Sequence, residues 1–196
     1  MRDAIVATAR GLIQRFGFRK TTMDDIARAM GKERTSLYYY FPGKKEIVNA
    51  LLECEFASVT QAVHEETSRH ADAASRLRVY LQASLDQVVQ RSAMYSLILP
   101  ELRGGGGGVP DIFRINELRI SIKKAEENYL VDILSQGHRE GQFRAMSEAK
   151  ARPLARFILS TLQGLEMDLF YVSSNVAELK ARLDVASDVF IRGLQR

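Results

Sequence analysis

The sequence has few of the residues that build disulfide-linked or metal-bound folds. Its 196 residues include one cysteine, Cys54, and three histidines, His64, His70 and His138. A single thiol cannot form an internal disulfide framework, and it cannot by itself supply a four-ligand zinc site. Six residues of helix place His64 and His70 about 240° apart, so they cannot share a metal on one helix. We expect no metal, no cofactor and no catalytic residues, and hence no enzyme.

Long apolar runs are also missing. No run of about 18 apolar residues is present, as a membrane-spanning helix would require. Arg2, Arg10 and Arg15 interrupt the N-terminal stretch that a signal peptide would keep apolar. Hydrophobic residues make up 46% of the chain and charged residues 27%, an ordinary globular composition that excludes a disordered chain. We therefore expect a soluble, cytoplasmic protein with no membrane partner.

Positive charge is concentrated in the first quarter of the chain. The formal net charge is +4, yet residues 1–46 alone carry ten basic and five acidic groups. The remaining 150 residues hold 18 basic and 19 acidic groups. Because phosphate neutralisation supplies most non-specific affinity for nucleic acid, this asymmetry is typical of a DNA-binding head on a neutral body. A solvated surface that is basic by chance fits the charge equally well.

The apolar pattern is helical almost throughout and predicts an all-α fold without strands. Helices are expected at about 3–15, from Thr22 as N-cap to residue 30, at 34–40, and from Lys44 onward. Further helices are expected at about 72–91, 92–102, 111–136, 148–173 and 175–194. The four prolines are expected at element boundaries, and Gly137 at a helix end. The glycine-rich stretch at 103–110 is predicted to be a flexible loop.

Residues 21–45, TTMDDIARAMGKERTSLYYYFPGKK, predict a helix-turn-helix. Two short helices flank Gly31, which can adopt the positive φ that a tight turn requires. The second helix can then lie in the major groove of DNA. Its N-terminal end carries Arg34, Thr35 and Ser36. An arginine can bond guanine through two donors, and the hydroxyls can bond base edges or phosphates.

Phosphate contacts are expected on both sides of this second helix. Three consecutive tyrosines cannot share one helix face, so some of their hydroxyl groups must point outward. Thr22 opens the first short helix and the two lysines open the next long one, and helix N-termini favour phosphate. The predicted DNA-binding residues are Thr22, Arg34, Thr35, Ser36, Tyr38, Tyr39, Tyr40, Lys44 and Lys45.

The segment FGFRKTTMDDIARAMGKERTSLYYYFPGKKEI resembles the DNA-binding head of the TetR family of bacterial transcriptional regulators. The resemblance covers about residues 2–50. It is carried by Phe16-Gly17, Thr21-Thr22, Ile26-Ala27, Gly31, Leu37-Tyr38, Tyr40-Phe41 and Lys44. It implies that Thr22, Tyr38 and Lys44 contact phosphates and that Arg34, Thr35 and Ser36 face bases.

Two positions depart from the family pattern. Gly43 stands where a Ser or Asn usually caps the fourth helix, so that cap is weaker. Glu33 stands where a Ser or a similar residue usually begins the reading helix. A carboxylate can cap a helix, but it also repels DNA. The resemblance therefore predicts which residues face the bases without predicting which bases they read.

The resemblance also implies a head of residues 1–46 joined by a long helix to a helical ligand-binding and dimerisation domain of residues 47–196. Family members commonly pair through their last two helices. The stretch ARFILSTLQGLEMDLFYV has apolar residues on more than one helix face, and each such face must be buried. A homodimer through the last two helices satisfies this requirement, as does a monomer that buries these faces in its own core.

The middle helices of a family member would surround a pocket for a small inducer. Apolar and aromatic residues at helical spacing are the candidates, although any bundle core contains the same residues. The predicted pocket residues are Phe56, Leu81, Leu85, Met94, Tyr95, Ile122, Tyr129 and Phe170.

The predicted function is a ligand-responsive, DNA-binding transcriptional regulator. As a repressor it would bind a pseudo-palindromic operator as a dimer and leave it when a small apolar or amphipathic inducer binds. The alternative from another class is a helical small-molecule-binding protein whose helix-turn-helix is vestigial. An activator, or a nucleoid-type binder with little sequence preference, is a third possibility.

Overall fold

The structure, a computed structural model, describes residues 1–103, 112–144, 147–171 and 175–195. Within these ranges the chain forms eight α-helices and no strand, which confirms the predicted all-α fold. In chain order they are α1 (Arg2–Phe16), α2 (Met23–Ala29), α3 (Arg34–Tyr38), α4 (Lys44–Ser68), α5 (Ala73–Arg103), α6 (Ile112–Arg139), α7 (Glu148–Tyr171) and α8 (Val176–Leu194).

The first three helices form the expected three-helix head. Helix α1 buries Ile5, Ala9 and Ile13, which recur every four residues on one face. Gly17 ends it with a φ of 84°, and its amide donates to the Ile13 carbonyl at 2.8 Å. Because only glycine adopts this φ without strain, the chain turns sharply into α2 at this position.

The two helices predicted at 72–91 and 92–102 are one continuous helix, α5. The segment around Ser92 contains no glycine or proline, and buried Val88, Met94 and Ile98 continue the apolar spacing across the expected break. Helix α5 also runs past Pro100, so the expectation that every proline marks an element boundary is wrong there. The predicted loop at 103–110 lies, apart from its first residue, outside the described residues.

Pro153 also lies inside a helix, five residues after the start of α7. Ala151, Ala155 and Ile158 are buried on both sides of it, so the apolar face continues through the proline. The proline itself is exposed, and packing of that face outweighs the hydrogen bond that its missing N–H forfeits.

Gly137 does not end α6, which continues to Arg139. It is buried, and the ring of Phe143 packs where a side chain at this position would lie. Glycine at this position therefore allows the Phe143 ring to approach the backbone of α6 closely. The turn is made by Gly141, whose φ is 72°.

The chain divides into two compact units. The first comprises Met1–Ala57 and Ser92–Arg119, and the second comprises Ser58–Arg91 and Ile120–Arg196. Buried apolar residues of α1–α4, among them Ile26, Leu37 and Leu51, form the core of the first unit. The second unit has its own core of leucines, isoleucines and aromatic residues from α4–α8, centred on residues such as Leu81 and Leu134. The predicted domain division after residue 46 stays a prediction.

Neither a membrane-spanning helix nor a metal-binding cluster is present in the described ranges. None of the helices there combines the length and the hydropathy needed to cross a lipid bilayer. No group of three or more His, Cys, Asp or Glu side chains in the same ranges is arranged to hold a metal ion.

Candidate nucleic-acid interface

Helix α2 is anchored by a capping box at its N-terminus. The hydroxyl of Thr22 accepts from the Asp25 amide at 3.2 Å and donates to Asp25 Oδ2 at 2.6 Å. The Thr22 amide donates to the same carboxylate oxygen at 2.9 Å. These hydrogen bonds, that of the hydroxyl first, lower the pKa of Asp25. The predicted N-cap is confirmed, and Thr22 is exposed, as a phosphate contact requires.

The turn between α2 and α3 is tight and glycine-dependent. Gly31 has a φ of 62°, and the Lys32 amide donates back to the Ala27 carbonyl at 2.9 Å. Ala27 is buried, and its small side chain lets the two short helices approach each other. The turn therefore fixes the direction of α3 through backbone hydrogen bonds.

Helix α3 buries one side chain and exposes the others. Leu37 is 1% exposed and packs into the head core. All six predicted contact residues of this segment lie on the exposed side or just after the helix, namely Arg34, Thr35, Ser36, Tyr38, Tyr39 and Tyr40. The helix ends at Tyr38, two residues earlier than predicted. The 85% exposed Tyr39 is therefore presented by the segment that follows the helix.

Glu33 occupies the N-cap position of α3 in an extended conformation. Its carboxylate makes no capping hydrogen bond with the helix amides and instead accepts from the Thr35 hydroxyl at 3.5 Å. It leaves a negative charge on the same exposed surface as the predicted base contacts. A carboxylate therefore lies beside the predicted base contacts, at the position where the family usually has a Ser or a similar residue.

Arg34 is held by two neighbours that the sequence did not indicate as its partners. Its Nε and Nη2 donate to the Tyr38 hydroxyl oxygen at 3.1 and 2.7 Å, and Nη1 donates to Asp24 Oδ2 at 3.3 Å. The hydrogen bonds to Tyr38, followed by the charge of Asp24, raise the pKa of Arg34. One turn separates Arg34 and Tyr38 on α3, but the Asp24 contact joins α3 to α2 across ten residues.

Lys44 and Lys45 open α4 and differ in their surroundings. The Lys44 ammonium donates to the carbonyls of Phe18 and Thr21 at 2.9 and 2.8 Å and lies 4.2 Å from the centre of the Phe18 ring. Its side chain thus joins the start of α4 to the segment between α1 and α2. Lys45, which is also half-buried, makes no ion pair or side-chain hydrogen bond within the described residues.

The basic residues of the head are mostly on its surface. Seven of them are exposed in addition to Arg34, namely Arg2, Arg10, Arg15, Arg19, Lys20, Arg28 and Lys32. Arg10 forms an ion pair with the buried carboxylate of Glu55 on α4. Arg2 lies over the ring of Phe41 at 4.5 Å from its centre. The positive charge found in the sequence is therefore available at the surface of the first unit.

The residues predicted to line a ligand pocket belong to both units. Phe56, Met94 and Tyr95 lie in the first unit, and the others lie in the second. Leu81, Leu85 and Met94 are buried, whereas Phe56, Ile122, Tyr129 and Phe170 are half-buried. The side chain of Tyr95 lies outside the described part of the chain. Leu81 and Leu85 sit in the hydrophobic core of the second unit, and the pocket stays a prediction.

A buried polar cluster in the second unit was not anticipated. Tyr80 donates to Glu126 Oε2 at 2.6 Å, and His64 Nε2 lies 2.9 Å from Glu126 Oε1. The His64 imidazole stacks on Tyr129 with ring centres 3.7 Å apart. Burial, and next the charge of Glu126, raise the pKa of Tyr80 well above its usual value. Tyr129, a predicted pocket residue, therefore lies among polar groups from α4, α5 and α6.

Helices α7 and α8, the predicted dimer helices, bury most of their apolar residues in the core of their own unit. Leu162 and Leu183, for example, are 6% and 2% exposed. Among the side chains that the structure describes on these two helices, three large apolar ones remain at the surface: Phe157, Val185 and Val189 are 61%, 66% and 63% exposed. We call these three residues the α7–α8 patch. This patch is smaller than the apolar surface that the sequence pattern indicated, because the core of the same unit already buries the other apolar faces of α7 and α8.

The head geometry is that of a helix-turn-helix protein, with one buried leucine beneath an exposed row of hydrogen-bond donors on the second helix. Residues 5–51 match the family model described as bacterial regulatory proteins, tetR family. This match covers the N-terminal domain, which is therefore similar to the DNA-binding domain of that family.

Curated relatives match over the same region. The chain is 39% identical over 56 residues to the biofilm operon icaADBC HTH-type negative transcriptional regulator IcaR of Staphylococcus aureus, covering 29% of this chain and 30% of that protein. It is 36% identical over 50 residues to the HTH-type transcriptional regulator EthR of Mycolicibacterium smegmatis, covering 26% and 23%. The matched region thus spans less than a third of the length of these relatives.

Solved structures share the fold along almost the whole chain. A transcriptional regulator from Cytophaga hutchinsonii superposes with a TM-score of 0.76 at 20% identity, covering 99% of this chain and 98% of that one. The fatty acid degradation regulator FadR from Bacillus halodurans gives 0.68 at 20% identity, covering 100% and 97%. A transcriptional regulator from Saccharomonospora viridis in complex with choline gives 0.71 at 20% identity, with the same coverage. These likenesses establish the fold beyond residue 51.

Proposed function

We propose that this protein is a ligand-responsive transcriptional repressor that binds a pseudo-palindromic operator as a homodimer. The observation that carries the proposal is the one-sided α3, which buries Leu37 and exposes Arg34, Thr35 and Ser36 at its N-terminal end. A vestigial helix-turn-helix would have no need of three adjacent exposed donors there. Since bacterial DNA lies in the cytoplasm, this function assigns the protein to that compartment.

Each predicted contact has a distinct role in this proposal. Arg34, Thr35 and Ser36 read base edges, because they lie at the end of α3 that enters the major groove. Phosphates are bound by the surrounding hydroxyls and ammonium groups, which are supplied by Thr22, Tyr38, Tyr39, Tyr40, Lys44 and Lys45. Such contacts fix the register of the protein on the duplex and make its affinity salt-dependent.

Dimerisation follows from the small size of the reading surface and from the α7–α8 patch. One five-residue helix reads few base pairs, whereas two copies related by a two-fold axis read two half-sites about one helical turn apart. Val185 and Val189 lie one turn apart on α8, so they form a continuous apolar strip that a second copy can cover. The dimer is therefore proposed to form through α7 and α8.

Release from DNA is proposed to follow the binding of a small apolar or amphipathic ligand to the region after residue 46. Half-buried Ile122, Tyr129 and Phe170 in the second unit offer apolar surface, and the polar cluster beside Tyr129 offers hydrogen-bonding groups. Helix α4 contributes residues to both units. A ligand can lower DNA affinity only to the extent that it prefers the conformation that does not bind DNA.

The test begins with selection of duplexes from a random-sequence pool by the purified protein. Fluorescence anisotropy at fixed salt then compares the selected duplex with a scrambled one of equal composition. We expect a pseudo-palindromic selected site, and a loss of affinity of about 10- to 100-fold for the Arg34→Ala variant on that site. Arg139→Ala, which removes the same charge from an exposed position in the second unit, should leave the affinity unchanged.

Two outcomes would contradict the proposal. If no sequence is enriched and all duplexes bind equally weakly, the head does not read sequence and the ligand-binding alternative is favoured. If Arg34→Ala and Arg139→Ala weaken binding equally, the interaction is general electrostatic attraction and α3 has no special role.

A further inference from the structure

The reading arginine is restrained on both sides in the absence of DNA. Asp24, in the first turn of α2, accepts from Arg34 Nη1 at 3.3 Å, and both side chains are about half exposed. On the other edge, Nε and Nη2 both donate to the single hydroxyl oxygen of Tyr38, at 3.1 and 2.7 Å. The guanidinium also lies 5.3 Å from the centre of the Tyr38 ring. Three of its nitrogen atoms thus have acceptors within the head.

This arrangement has a direct consequence for base reading. Bidentate recognition of guanine needs two coplanar N–H groups aimed at O6 and N7. Here the edge formed by Nε and Nη2 is turned toward Tyr38, and Nη1 is paired with Asp24. Arg34 must therefore exchange protein acceptors for base acceptors when it binds guanine. At a guanine the new hydrogen bonds compensate for those that Arg34 loses, whereas a base without two adjacent acceptors does not compensate for them.

We propose that Asp24 competes with DNA bases for Arg34 and thereby limits how tightly the head binds its cognate site. This inference rests on the proposed function. On a non-cognate duplex Arg34 stays paired with Asp24, so the pair adds no net charge to the interface and is not broken. On the cognate duplex two guanine acceptors replace the carboxylate. The free energy of the pair is therefore subtracted from cognate binding alone, and Asp24 weakens specific binding more than non-specific binding.

Glu33 provides a matched control on the same surface. Its carboxylate, like that of Asp24, is an exposed negative charge close to the N-terminus of α3. It contacts the Thr35 hydroxyl, whereas Asp24 contacts Arg34. Replacing Glu33 with glutamine removes the same charge from the same face without releasing Arg34. The comparison separates competition for the arginine from simple charge repulsion.

The experiment measures dissociation constants of the wild type, Asp24→Asn and Glu33→Gln for the selected duplex and for its scrambled form. Each is measured at several salt concentrations. An exposed ion pair changes an equilibrium by up to about 5-fold. We therefore expect Asp24→Asn to tighten binding to the selected duplex about 3- to 5-fold and to the scrambled duplex less than about 2-fold. The preference for the selected duplex should rise at each salt concentration.

A double-substitution cycle completes the test. If Asp24 acts through Arg34, Asp24→Asn should change neither duplex selectively when Arg34→Ala is also present. Equal tightening on both duplexes, the same gain of selectivity with Glu33→Gln, or an effect that persists without Arg34 would overturn the role of Asp24. If the wild type selects no sequence at all, the proposed function itself fails and this inference fails with it.

Discussion

Lys44 and Lys45 are adjacent, carry the same charge and open the same helix, yet the structure predicts that they have different roles. The Lys44 ammonium donates to the Phe18 and Thr21 carbonyls, which accept no backbone hydrogen bond within the described residues. Lys45 has no comparable acceptor in the same part of the chain. We expect substitution of Lys44 by methionine to lower the stability of the head, and substitution of Lys45 to affect DNA binding alone.

The size of the effect follows from the groups involved. A hydrogen bond to a charged group contributes about 1.5–3 kcal/mol. Because one half-buried ammonium serves both carbonyls, we expect the two bonds of Lys44 to contribute about 1.5–2 kcal/mol together. Its contact with the Phe18 ring adds about 0.5–1 kcal/mol. Methionine keeps the apolar stem but leaves two carbonyls without their donor. We expect Lys44→Met to lower the free energy of unfolding by about 2–3 kcal/mol, or roughly 5–10 °C in Tm for a chain of this size.

Thermal unfolding followed by circular dichroism measures the first effect, and the salt dependence of DNA affinity measures the second. Lys45→Met should shift the free energy of unfolding by less than about 0.5 kcal/mol, as is usual for surface positions. It should also reduce the salt slope by about one contact. Equal stability of the two variants would refute the structural role of Lys44. It would leave Lys44 with the proposed phosphate contact alone, like its neighbour.

Three further predictions concern other parts of the chain. Val189→Asp should convert the proposed homodimer to monomers in light scattering, because the proposed interface would bury an unpaired carboxylate. A dimer that persists would show that α8 is not the interface. Asp25→Asn should make the urea midpoint of unfolding less sensitive to acid. The pKa of Asp25 is lowered in the folded protein, so its carboxylate adds stability above the pKa of the unfolded chain, and this stability is lost as the pH falls through the pKa of the folded protein. Identical acid sensitivity of the two proteins would contradict the Thr22 capping box. Gly137→Ala should lower the free energy of unfolding by about 1–3 kcal/mol, because the added methyl group overlaps the buried ring of Phe143. The control is Gly11→Ala on α1, where the added methyl group meets no other atom and the change should be stabilising.

The parts of the head that local chemistry determines were predictable from the sequence. The N-cap Thr22, the turn at Gly31 and the buried Leu37 each follow from short-range rules on capping, φ and helical spacing. The limits of α5 and α6 were not predictable in this way. A helix end is set by whether the apolar face continues to find a partner, and the packing of Phe143 against Gly137 depends on a chain reversal that local patterns do not encode.

The partners of the predicted DNA contacts could not be inferred from the sequence either. The Asp24–Arg34 pair joins two helices across a turn, and the Lys44 contacts join residues 23 and 26 positions apart. Each depends on side-chain conformations that only the folded head selects. The sequence predicts which residues face DNA, and the structure shows which of them have partners within the protein.

This distinction divides the predicted interface into two sets. Thr22, Arg34 and Lys44 enter a complex only by sharing or exchanging hydrogen bonds that stabilise the free head. Ser36 and Lys45 make no side-chain hydrogen bond or ion pair within the described residues, so they can contribute to DNA affinity without such an exchange. Breaking a hydrogen bond of the free head costs free energy that the new contact with DNA must offset, so a partnered residue contributes less net affinity than an unpartnered donor. The affinity of this head for its cognate duplex is therefore expected to depend on how strongly the partners of Arg34 hold it in the free protein.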